Sequence, residues 1–386
     1  MSRFLFVVPP LTGHINPAVG VAAALAGRGH RVAWACPDPA LLRRLAGVGA
    51  EVFGCAGAPE GSRPPELRGP EALRFLWEWY LLPLAEAMAP GVRVAVGEFR
   101  PDVVVADQQA FAGALVAERL GVPWATSATT SAEFTDPLSG LPKVREWLEE
   151  RLARLRTSIG DPAGGADPRF SPHLVLAFSV AELAGPAEGV RWVGPSVAAR
   201  PAAAGFPWEW LDAARATVLV TLGTANTDVG GRFLGVCDEA LRERADRVQG
   251  VVVDPGSPPR APADDKDVLV VPHVPQLALL ERGVAAVVCH AGHNTVGEAL
   301  WHGIPLVVAP IRDDQPVVAG QVADAGAGVR VRFGRVGARR LGAALDAVLD
   351  EPGYRAAAGR IGAAFRAAGG TSAAADHLEE LARELS

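Results

Sequence analysis

Short, continuous runs of apolar residues recur along the chain, and longer segments with helical spacing separate them. The runs are bounded by Gly or Pro, which is typical of strands buried on both faces of a parallel sheet. We predict strands in RFLFVVP, HRVAWAC, DVVVAD, HLVLAFS and RWVGP, and in TVLVTLG, GVVVDPG, DVLVVPHV, AAVVCHAG and PLVVAP. Segments between them, such as NPAVGVAAALAGRGH, have amphipathic helical spacing and end in glycine. This alternation predicts an α/β fold.

The pattern of strands and helices restarts near residue 216, after a stretch rich in Ala, Pro and Gly that is typical of a linker. At 386 residues the chain is also longer than one hydrophobic core usually supports. We therefore predict two Rossmann-like, doubly wound domains with parallel sheets, residues 1–205 and 206–370, facing each other across a cleft. Residues 371–386 form an amphipathic helix expected to pack back on the first domain.

Composition and charge exclude several classes of protein. Hydrophobic residues make up 49% and charged residues 21% of the chain, which is typical of a folded enzyme. The net charge of -6 argues against a nucleic-acid partner. No apolar stretch reaches the roughly 18 residues that span a bilayer, and Pro9 and Pro10 interrupt the first one too early for a signal peptide. The four cysteines include no C-x-x-C pair, which fits a reducing cytoplasm.

Two candidate catalytic residues follow predicted strands in the first half of the chain. His14 comes just after the first strand and Asp107 ends the strand in PDVVVAD, at the sheet edge where open parallel sheets bind ligands. A histidine can remove a proton from a hydroxyl near neutral pH, and a carboxylate can hold its other ring N–H. The alternatives are a histidine and an aspartate that only cap the following helices.

The segment CHAGHNTVGEALWHGIP joins a predicted strand to a predicted helix. It predicts an anion site, because the first N–H groups of a helix bind phosphate and Gly292 permits close approach of the backbone. Asn294 and Thr295 add neutral donors. A metal site is disfavoured, because His290 ends the strand whereas His293 begins the helix. A polar turn without a ligand is the remaining alternative.

Two weaker motifs also follow strands of the second half. In TLGTANT, Thr221, Gly223 and Thr224 could reach phosphate oxygens from a glycine turn. In PIRDDQP, Asp314 and Gln315 offer acceptors and a donor that suit the vicinal hydroxyls of a sugar. The alternative for the second motif is an ordinary surface loop.

Together these motifs resemble the family 1 nucleotide-sugar glycosyltransferases of the GT-B fold, of the bacterial natural-product type. The resemblance covers essentially the whole chain and is most specific from His273 to Gln315. There HVPQ, HAGHNTVGE, GIP and PIRDDQ follow the family patterns W-x-P-Q, H-C-G-W-N-S-x-x-E, G-x-P and P-x-x-x-D-Q. The N-terminal GHINP resembles G-H-x-x-P. The resemblance implies a hexosyl or deoxyhexosyl transferase that uses a UDP- or dTDP-sugar and needs no metal or other cofactor.

The resemblance also assigns expected roles to residues. His14 would be the general base and Asp107 its partner, Glu298 would bind the ribose hydroxyls, and Asp314 with Gln315 would hold the transferred sugar. The donor-binding residues implied are Thr221, Gly223, Thr224, His273, Val274, Gln276, His290, Gly292, His293, Asn294, Thr295, Glu298, Asp314 and Gln315. The chain departs from the family where His273 replaces a base-stacking tryptophan and where His293 replaces a tryptophan or a small residue, which leaves base and sugar selectivity open.

The expected reaction is an inverting transfer to a hydroxyl of a hydrophobic small-molecule aglycone in secondary metabolism. Aromatic residues that could form an acceptor wall are Phe75, Trp77, Trp79, Trp124 and Phe134. The alternative for each aromatic is an ordinary core position. A sugar-nucleotide epimerase and a non-catalytic partner of another glycosyltransferase are the rival functions, and either a monomer or a homodimer is compatible with the sequence.

Overall fold

The structure is a computed structural model of the chain. It describes residues 1–59, 61, 63–64, 67, 69–135, 138–197, 205–223, 229–256 and 265–385. The chain divides into two compact units, of which the first comprises Met1–Ala181, Gly185–Ala198 and Ala368–Ser386. The second unit comprises Glu182–Ala184 and Ala199–Ala367.

The first part of the chain builds a seven-stranded parallel sheet with helices between its strands. The strands are β1 (Arg3–Val7), β2 (Arg31–Cys36), β3 (Glu51–Gly54), β4 (Val103–Asp107), β5 (Trp124–Ala128), β6 (Leu174–Ala177) and β7 (Val190–Trp192). The helices are α1 (Thr12–Gly27), α2 (Pro39–Ala46), α3 (Gly69–Phe75), α4 (Leu82–Phe99), α5 (Phe111–Arg119), α6 (Pro142–Ile159) and α7 (Ala181–Ala184). A π-helical segment, Leu76–Leu81, joins α3 to α4, and Ala132–Thr135 forms a 3₁₀ turn. The strand order is β3-β2-β1-β4-β5-β6-β7.

The rest of the chain builds a second parallel sheet, with six strands. After a 3₁₀ turn at Trp208–Trp210, its strands are β8 (Ala216–Thr221), β9 (Val248–Val253), β10 (Val268–Val271), β11 (Ala286–Cys289), β12 (Leu306–Val308) and β13 (Gly328–Arg330). Its helices are α8 (Gly231–Arg242), α9 (Gln276–Glu281), α10 (His293–Trp301), α11 (Gln315–Asp324), α12 (Ala338–Asp350) and α13 (Pro352–Ala367), and α14 (Gly370–Glu384) ends the chain. The strand order is β10-β9-β8-β11-β12-β13.

The prediction of two α/β units with parallel sheets is therefore confirmed. Strand β1 shows why the buried strands appear as continuous apolar runs in the sequence. Phe4 and Phe6 pack into one apolar cluster and Leu5 and Val7 into another, and none of these side chains is more than 1% exposed. A strand covered by helices on both faces needs apolar residues at every position, which produces continuous apolar runs.

Each predicted strand segment overlaps an observed strand, but three observed strands were missed. β5 has the sequence WATSA, whose small and hydroxylated residues give no apolar run although all five are buried. The other two, β3 and β13, are only partly buried and contain four and three residues. Among the described residues, no helix has both the length and the apolar character needed to cross a membrane.

The order of strands creates one special position in each sheet. In the first, β1 and β4 are neighbours, with Val7 paired to Ala106. In the second, β8 and β11 are neighbours, with Thr221 paired to Cys289. At such a switch point the following segments diverge to opposite faces and leave a crevice at the carboxyl ends of the strands, where ligands bind in open α/β sheets.

The last helix, α14, packs against α1 within the first unit. Leu378 is fully buried in the same apolar cluster as Phe4 and Phe6. At the edge of this contact, Arg28 Nη1 lies 2.6 Å from Asp376 Oδ1 and 3.1 Å from Glu379 Oε2. Apolar burial provides most of the stabilisation here, because exposed ion pairs contribute little.

Leu378→Ala removes a fully buried side chain from this cluster, so we expect a loss of about 2 to 4 kcal/mol in the free energy of unfolding. Urea denaturation measures the loss. The control is Glu380→Ala on the exposed side of the same helix, which should cost less than about 0.5 kcal/mol. Equal effects of the two substitutions would contradict a core role for α14.

Candidate functional site

His14 and Asp107 lie side by side at the switch point of the first sheet. His14 is in the first turn of α1, and Asp107 is the last residue of β4. The Nδ1 atom of His14 lies 3.0 Å from each carboxylate oxygen of Asp107. An ionised carboxylate only accepts hydrogen bonds, so Nδ1 carries the proton and donates it, and the lone pair resides on Nε2. The imidazole is therefore oriented as a base.

Asp107 is itself held by further donors. The backbone N–H of Gln109 donates to Oδ1 at 2.8 Å, and the Thr129 hydroxyl donates to Oδ2 at 3.2 Å. The Thr129 oxygen also lies 2.8 Å from His14 Nδ1. The Asp107 side chain is fully buried, whereas the His14 side chain is 16% exposed. The carboxylate is thus desolvated but hydrogen-bonded, which makes its burial tolerable.

Thr129 is a residue of this site that no sequence motif predicted. It follows β5, which pairs with β4 and brings it beside Asp107. The available signal was the run TSATTS, in which hydroxyl side chains continue past the end of the strand.

Two of the five predicted acceptor aromatics belong to the core. Trp124 is 3% exposed, on β5. Trp77 is 4% exposed, and its ring stacks on Phe111 at a centroid distance of 5.3 Å. Both side chains lie in the apolar cluster that contains Leu5 and Val7. Their burial corrects the expectation that they form an acceptor wall, because almost no surface remains for a ligand.

The other three predicted aromatics keep accessible surface. Trp79 is 67% exposed, and its ring stacks on Phe75 at 6.1 Å. Phe134 is partly buried and lies 5.8 Å from Phe170 and 5.4 Å from Trp192 between ring centroids. Phe170 and Trp192 lie far from Phe134 along the chain, and no sequence pattern linked them to it.

Tyr80 is a further aromatic residue on the π-helical segment. Its hydroxyl is buried, and within the described part of the chain no hydrogen-bond partner is present. Burial, together with the charge of Asp107, raises the pKa of Tyr80 to about 12. The phenol is therefore protonated at physiological pH. A π-helical segment is itself a common feature of functional regions.

In the second unit, the imidazole of His290 is packed between two glycines. A Cβ atom at Gly223 would lie 2.7 Å from His290 Cε1, and one at Gly292 would lie 2.6 Å from the same atom. Gly223 follows β8 and also has a φ of +69°, which favours glycine. The predicted donor-site turns that follow β8 and β11, which contain Gly223 and Gly292, therefore meet around the ring of His290.

His290 is neutral in the folded protein. It is 8% exposed, and this burial lowers its pKa to about 4, although the Thr221 backbone carbonyl favours the protonated form. The positive charge of Arg312 lowers the pKa further. Arg312, to which no sequence motif pointed, places a cationic group near the predicted phosphate site.

The helix α10 begins where the phosphate site was predicted. Its N-cap residue is Gly292, and no side chain caps this end. Asn294 and Thr295 lie in the first turn, together with His293, which is buried at 8% exposure. The positive end of the helix dipole at this position suits an anion.

Glu298 is one turn further along α10 and is only 3% exposed. The amide Nε2 of Gln276, the first residue of α9, donates to its Oε2 at 2.5 Å. Before this helix, His273 is exposed and Val274 is partly buried. The glutamine of the HVPQ motif is thus joined to the predicted ribose-binding carboxylate by a direct hydrogen bond.

Asp314 and Gln315 lie at the start of α11. The side-chain oxygen of Gln315 accepts hydrogen bonds from the backbone N–H groups of Ile311, at 2.9 Å, and Arg312, at 3.1 Å. A contact of Gln315 with a sugar would therefore come from its amide hydrogens. Thr224, also predicted here, lies outside the described residues. Across the described ranges, no cluster of three or more His, Cys, Asp or Glu side chains is arranged to hold a metal ion.

Comparison with known proteins agrees with this architecture. Residues 208–365 match the family model of UDP-glucoronosyl and UDP-glucosyl transferases, and residues 12–157 match the glycosyl transferase 4-like domain. The 4'-demethylrebeccamycin synthase of Lentzea aerocolonigenes is 30% identical, over 98% of this chain and 99% of that relative. The chain belongs to the family of GT-B nucleotide-sugar glycosyltransferases.

Two further proteins resemble this glycosyltransferase along nearly its whole length. Demethyllactenocin mycarosyltransferase of Streptomyces fradiae is 30% identical, over 99% of this chain and 87% of that relative. The crystal structure of the kitacinnamycin glycosyltransferase superimposes with a TM-score of 0.82 at 27% identity, over 98% of each chain. The protein is thus a natural-product glycosyltransferase with a nucleotide-sugar donor.

Gly292→Ala tests the packing around His290 in this glycosyltransferase. The φ of Gly292 is -65°, which alanine adopts without strain, so the added methyl group acts only through its overlap with the imidazole. We expect a loss of about 1 to 3 kcal/mol in the free energy of unfolding, measured in urea.

The matched control is the same substitution in a His290→Ala background. There the ring is absent, and Gly292→Ala should cost less than about 0.5 kcal/mol. The same cost in both backgrounds would contradict the packing of the imidazole against Gly292.

The low pKa of His290 predicts a pH dependence of stability. Its pKa is about 4 in the folded state against 6.5 for an unperturbed histidine, so between these values the unfolded state binds a proton that the native state does not. The free energy of unfolding should therefore fall on acidification through this window, by up to about 1.4 kcal/mol per pH unit from this group. NMR titration of the His290 ring should show a midpoint near pH 4, and a midpoint above pH 6 would contradict it.

Proposed function

We propose that this glycosyltransferase moves a sugar, with inversion, from a UDP- or dTDP-sugar to a hydroxyl of a hydrophobic small-molecule acceptor. His14 is the general base. The observation that carries this proposal is the contact of His14 Nδ1 with both oxygens of Asp107, which assigns the ring lone pair to Nε2.

The proposed step is a single displacement. The acceptor oxygen forms a bond to the anomeric carbon while its proton passes to Nε2 of His14. The bond from that carbon to the phosphate oxygen breaks on the opposite face, and the nucleoside diphosphate leaves with the electron pair. Asp107 stabilises the imidazolium that forms, since its carboxylate accepts a hydrogen bond from Nδ1–H, with Nδ1 3.0 Å from Oδ1.

The leaving diphosphate gains negative charge during this step. The start of α10, with Asn294 and Thr295 in its first turn, provides oriented N–H dipoles for that charge. The cationic side chain of Arg312 lies close enough to His290 to affect its protonation. These groups supply electrostatic stabilisation without a metal ion, which is why the proposed reaction includes none.

The remaining residues bind the parts of the two substrates. Glu298 is assigned to the ribose, the amide of Gln315 and the carboxylate of Asp314 to the sugar, and His273 to the base. In the first unit, the accessible rings of Phe75, Trp79 and Phe134 suit an apolar acceptor. The four free cysteines suit a reducing cytoplasm as the place of reaction.

His14→Ala should reduce acceptor-dependent sugar transfer at least about a hundredfold, because it removes the group that takes the acceptor proton. Transfer is measured as release of nucleoside diphosphate with and without acceptor, and NMR of the product reports the anomeric configuration. Binding of the nucleotide alone should not change.

The control is His377→Ala, which replaces a histidine on the last helix. It should retain normal transfer. Wild-type rates for His14→Ala would refute the role of the base, and nucleotide-sugar turnover that does not depend on an acceptor would indicate an epimerase.

A further inference from the structure

We propose that Thr129 is a positioning residue for the transfer reaction. Its hydroxyl holds the imidazole of His14 in one orientation, with Nδ1 turned to Asp107 and Nε2 directed away from it. This role rests on the proposed function in one respect, the action of His14 as the base. It adds a third side chain to the pair formed by His14 and Asp107.

The hydroxyl of Thr129 contacts both members of the pair. Its oxygen lies 2.8 Å from Nδ1 of His14 and 3.2 Å from Oδ2 of Asp107. The two carboxylate oxygens of Asp107 each lie 3.0 Å from the same ring nitrogen. The hydroxyl oxygen of Thr129 is thus the nearest of the three oxygens around Nδ1.

The protons of these groups fix the direction of each hydrogen bond. An ionised carboxylate only accepts, so the Thr129 hydroxyl donates its single hydrogen to Oδ2 of Asp107. A lone pair of the same hydroxyl oxygen then accepts the hydrogen bond of Nδ1–H. In the other tautomer of His14, an unprotonated Nδ1 would face the lone pairs of the carboxylate. Thr129 and Asp107 therefore favour the same tautomer, in which Nε2 carries the lone pair.

Asp107 by itself leaves the ring some freedom to rotate. Its two oxygens are equally distant from Nδ1, so the ring can turn toward either of them with little change in hydrogen bonding. The Thr129 oxygen accepts from the same N–H at a third position and removes this freedom. Orientation matters for a base, because a displacement of about 1 Å in a catalytic site can cost on the order of a hundredfold in rate.

Thr129 is itself held firmly in place. It is 5% exposed and directly follows β5, in which Ser127 pairs with Asp107. The backbone N–H of the next residue, Thr130, donates to the side-chain oxygen of Gln108 at 3.2 Å. Threonine is also branched at Cβ, which restricts rotation about its Cα–Cβ bond. The hydroxyl is therefore in position before any substrate binds.

The first test uses NMR of the full-length protein with isotope-labelled histidine rings and needs no substrate. Thr129→Val keeps the branched shape and removes the hydroxyl, whereas the matched control Thr129→Ser keeps the hydroxyl. The signal of His14 is assigned by its loss in His14→Ala. We expect a proton on Nδ1 and none on Nε2 in the wild-type protein and in Thr129→Ser. In Thr129→Val the Nδ1–H signal should be broadened or lost, because a less restrained ring exposes this proton to exchange with water.

The second test measures transfer from UDP-glucose and dTDP-glucose to two probe acceptors, phenol and the more acidic para-nitrophenol. Thr129→Val should lower kcat for phenol at least about tenfold and change the KM of the donor less than about twofold. Thr129→Ser should stay within about threefold of the wild-type kcat. The loss in Thr129→Val should be smaller for para-nitrophenol, because a more acidic hydroxyl depends less on a base.

A double-mutant comparison separates a positioning residue from a residue that contacts the substrate. Because Thr129 acts through His14, Thr129→Val in a His14→Ala background should change the residual rate less than about twofold. Melting temperatures establish that the variants are folded. If Thr129→Val does not fold, Thr129→Ala takes its place in each measurement.

Three results would overturn the role of Thr129. They are an unchanged Nδ1–H signal in the folded Thr129→Val variant, a wild-type rate of that variant, and an equal loss of rate in the presence and absence of His14. If neither probe acceptor is used, the NMR result decides. Wild-type transfer by His14→Ala would instead refute the base of the proposed function. A strong loss in His14→Ala with none in Thr129→Val would refute the role of Thr129 alone.

Discussion

The reversal of strand order in each sheet is the constraint on which the sites of this protein depend. Because β1 and β4 are adjacent although a long segment of chain separates them, the turn that carries His14 lies beside the carboxylate that ends β4. The same arrangement of β8 and β11 brings the turn at Gly223 against the ring of His290. Parallel pairing aligns the carboxyl ends of strands, and divergence of the following segments opens the space between them.

The two sites use burial differently. Asp107 stays compatible with a buried position because the hydrogen bonds of His14, Gln109 and Thr129 replace its hydration. His290 has little such compensation for a charge, so burial keeps it neutral. A catalytic base must be able to become positively charged, and the imidazole of His14 can do so beside Asp107. The imidazole of His290 stays neutral and fills the space between two glycines, which is compatible with binding of an anion by helix dipoles and Arg312.

The sequence predicted those parts of the fold that depend on burial of continuous apolar runs. It failed for β5, because alanine, threonine and serine can be buried in a strand without forming a hydrophobic run. The same strand leads to Thr129, so the missed strand and the missed residue have one cause. For the aromatic residues, the sequence could not separate Trp77 and Trp124, which are core residues, from Trp79, which is 67% exposed. The chemistry of these side chains is alike, and only their packing differs.

By itself, the sequence determined the two-sheet α/β architecture, the family and the residues at the strand ends, because periodicity and motif spacing are local properties of the chain. Only the tertiary structure decided how these residues are hydrogen-bonded to one another. The amide of Gln276 and the carboxylate of Glu298 come from different helices, and their contact at 2.5 Å depends on how α9 and α10 pack. Contacts between side chains distant in sequence arise from the packing of whole elements, and no local pattern encodes them.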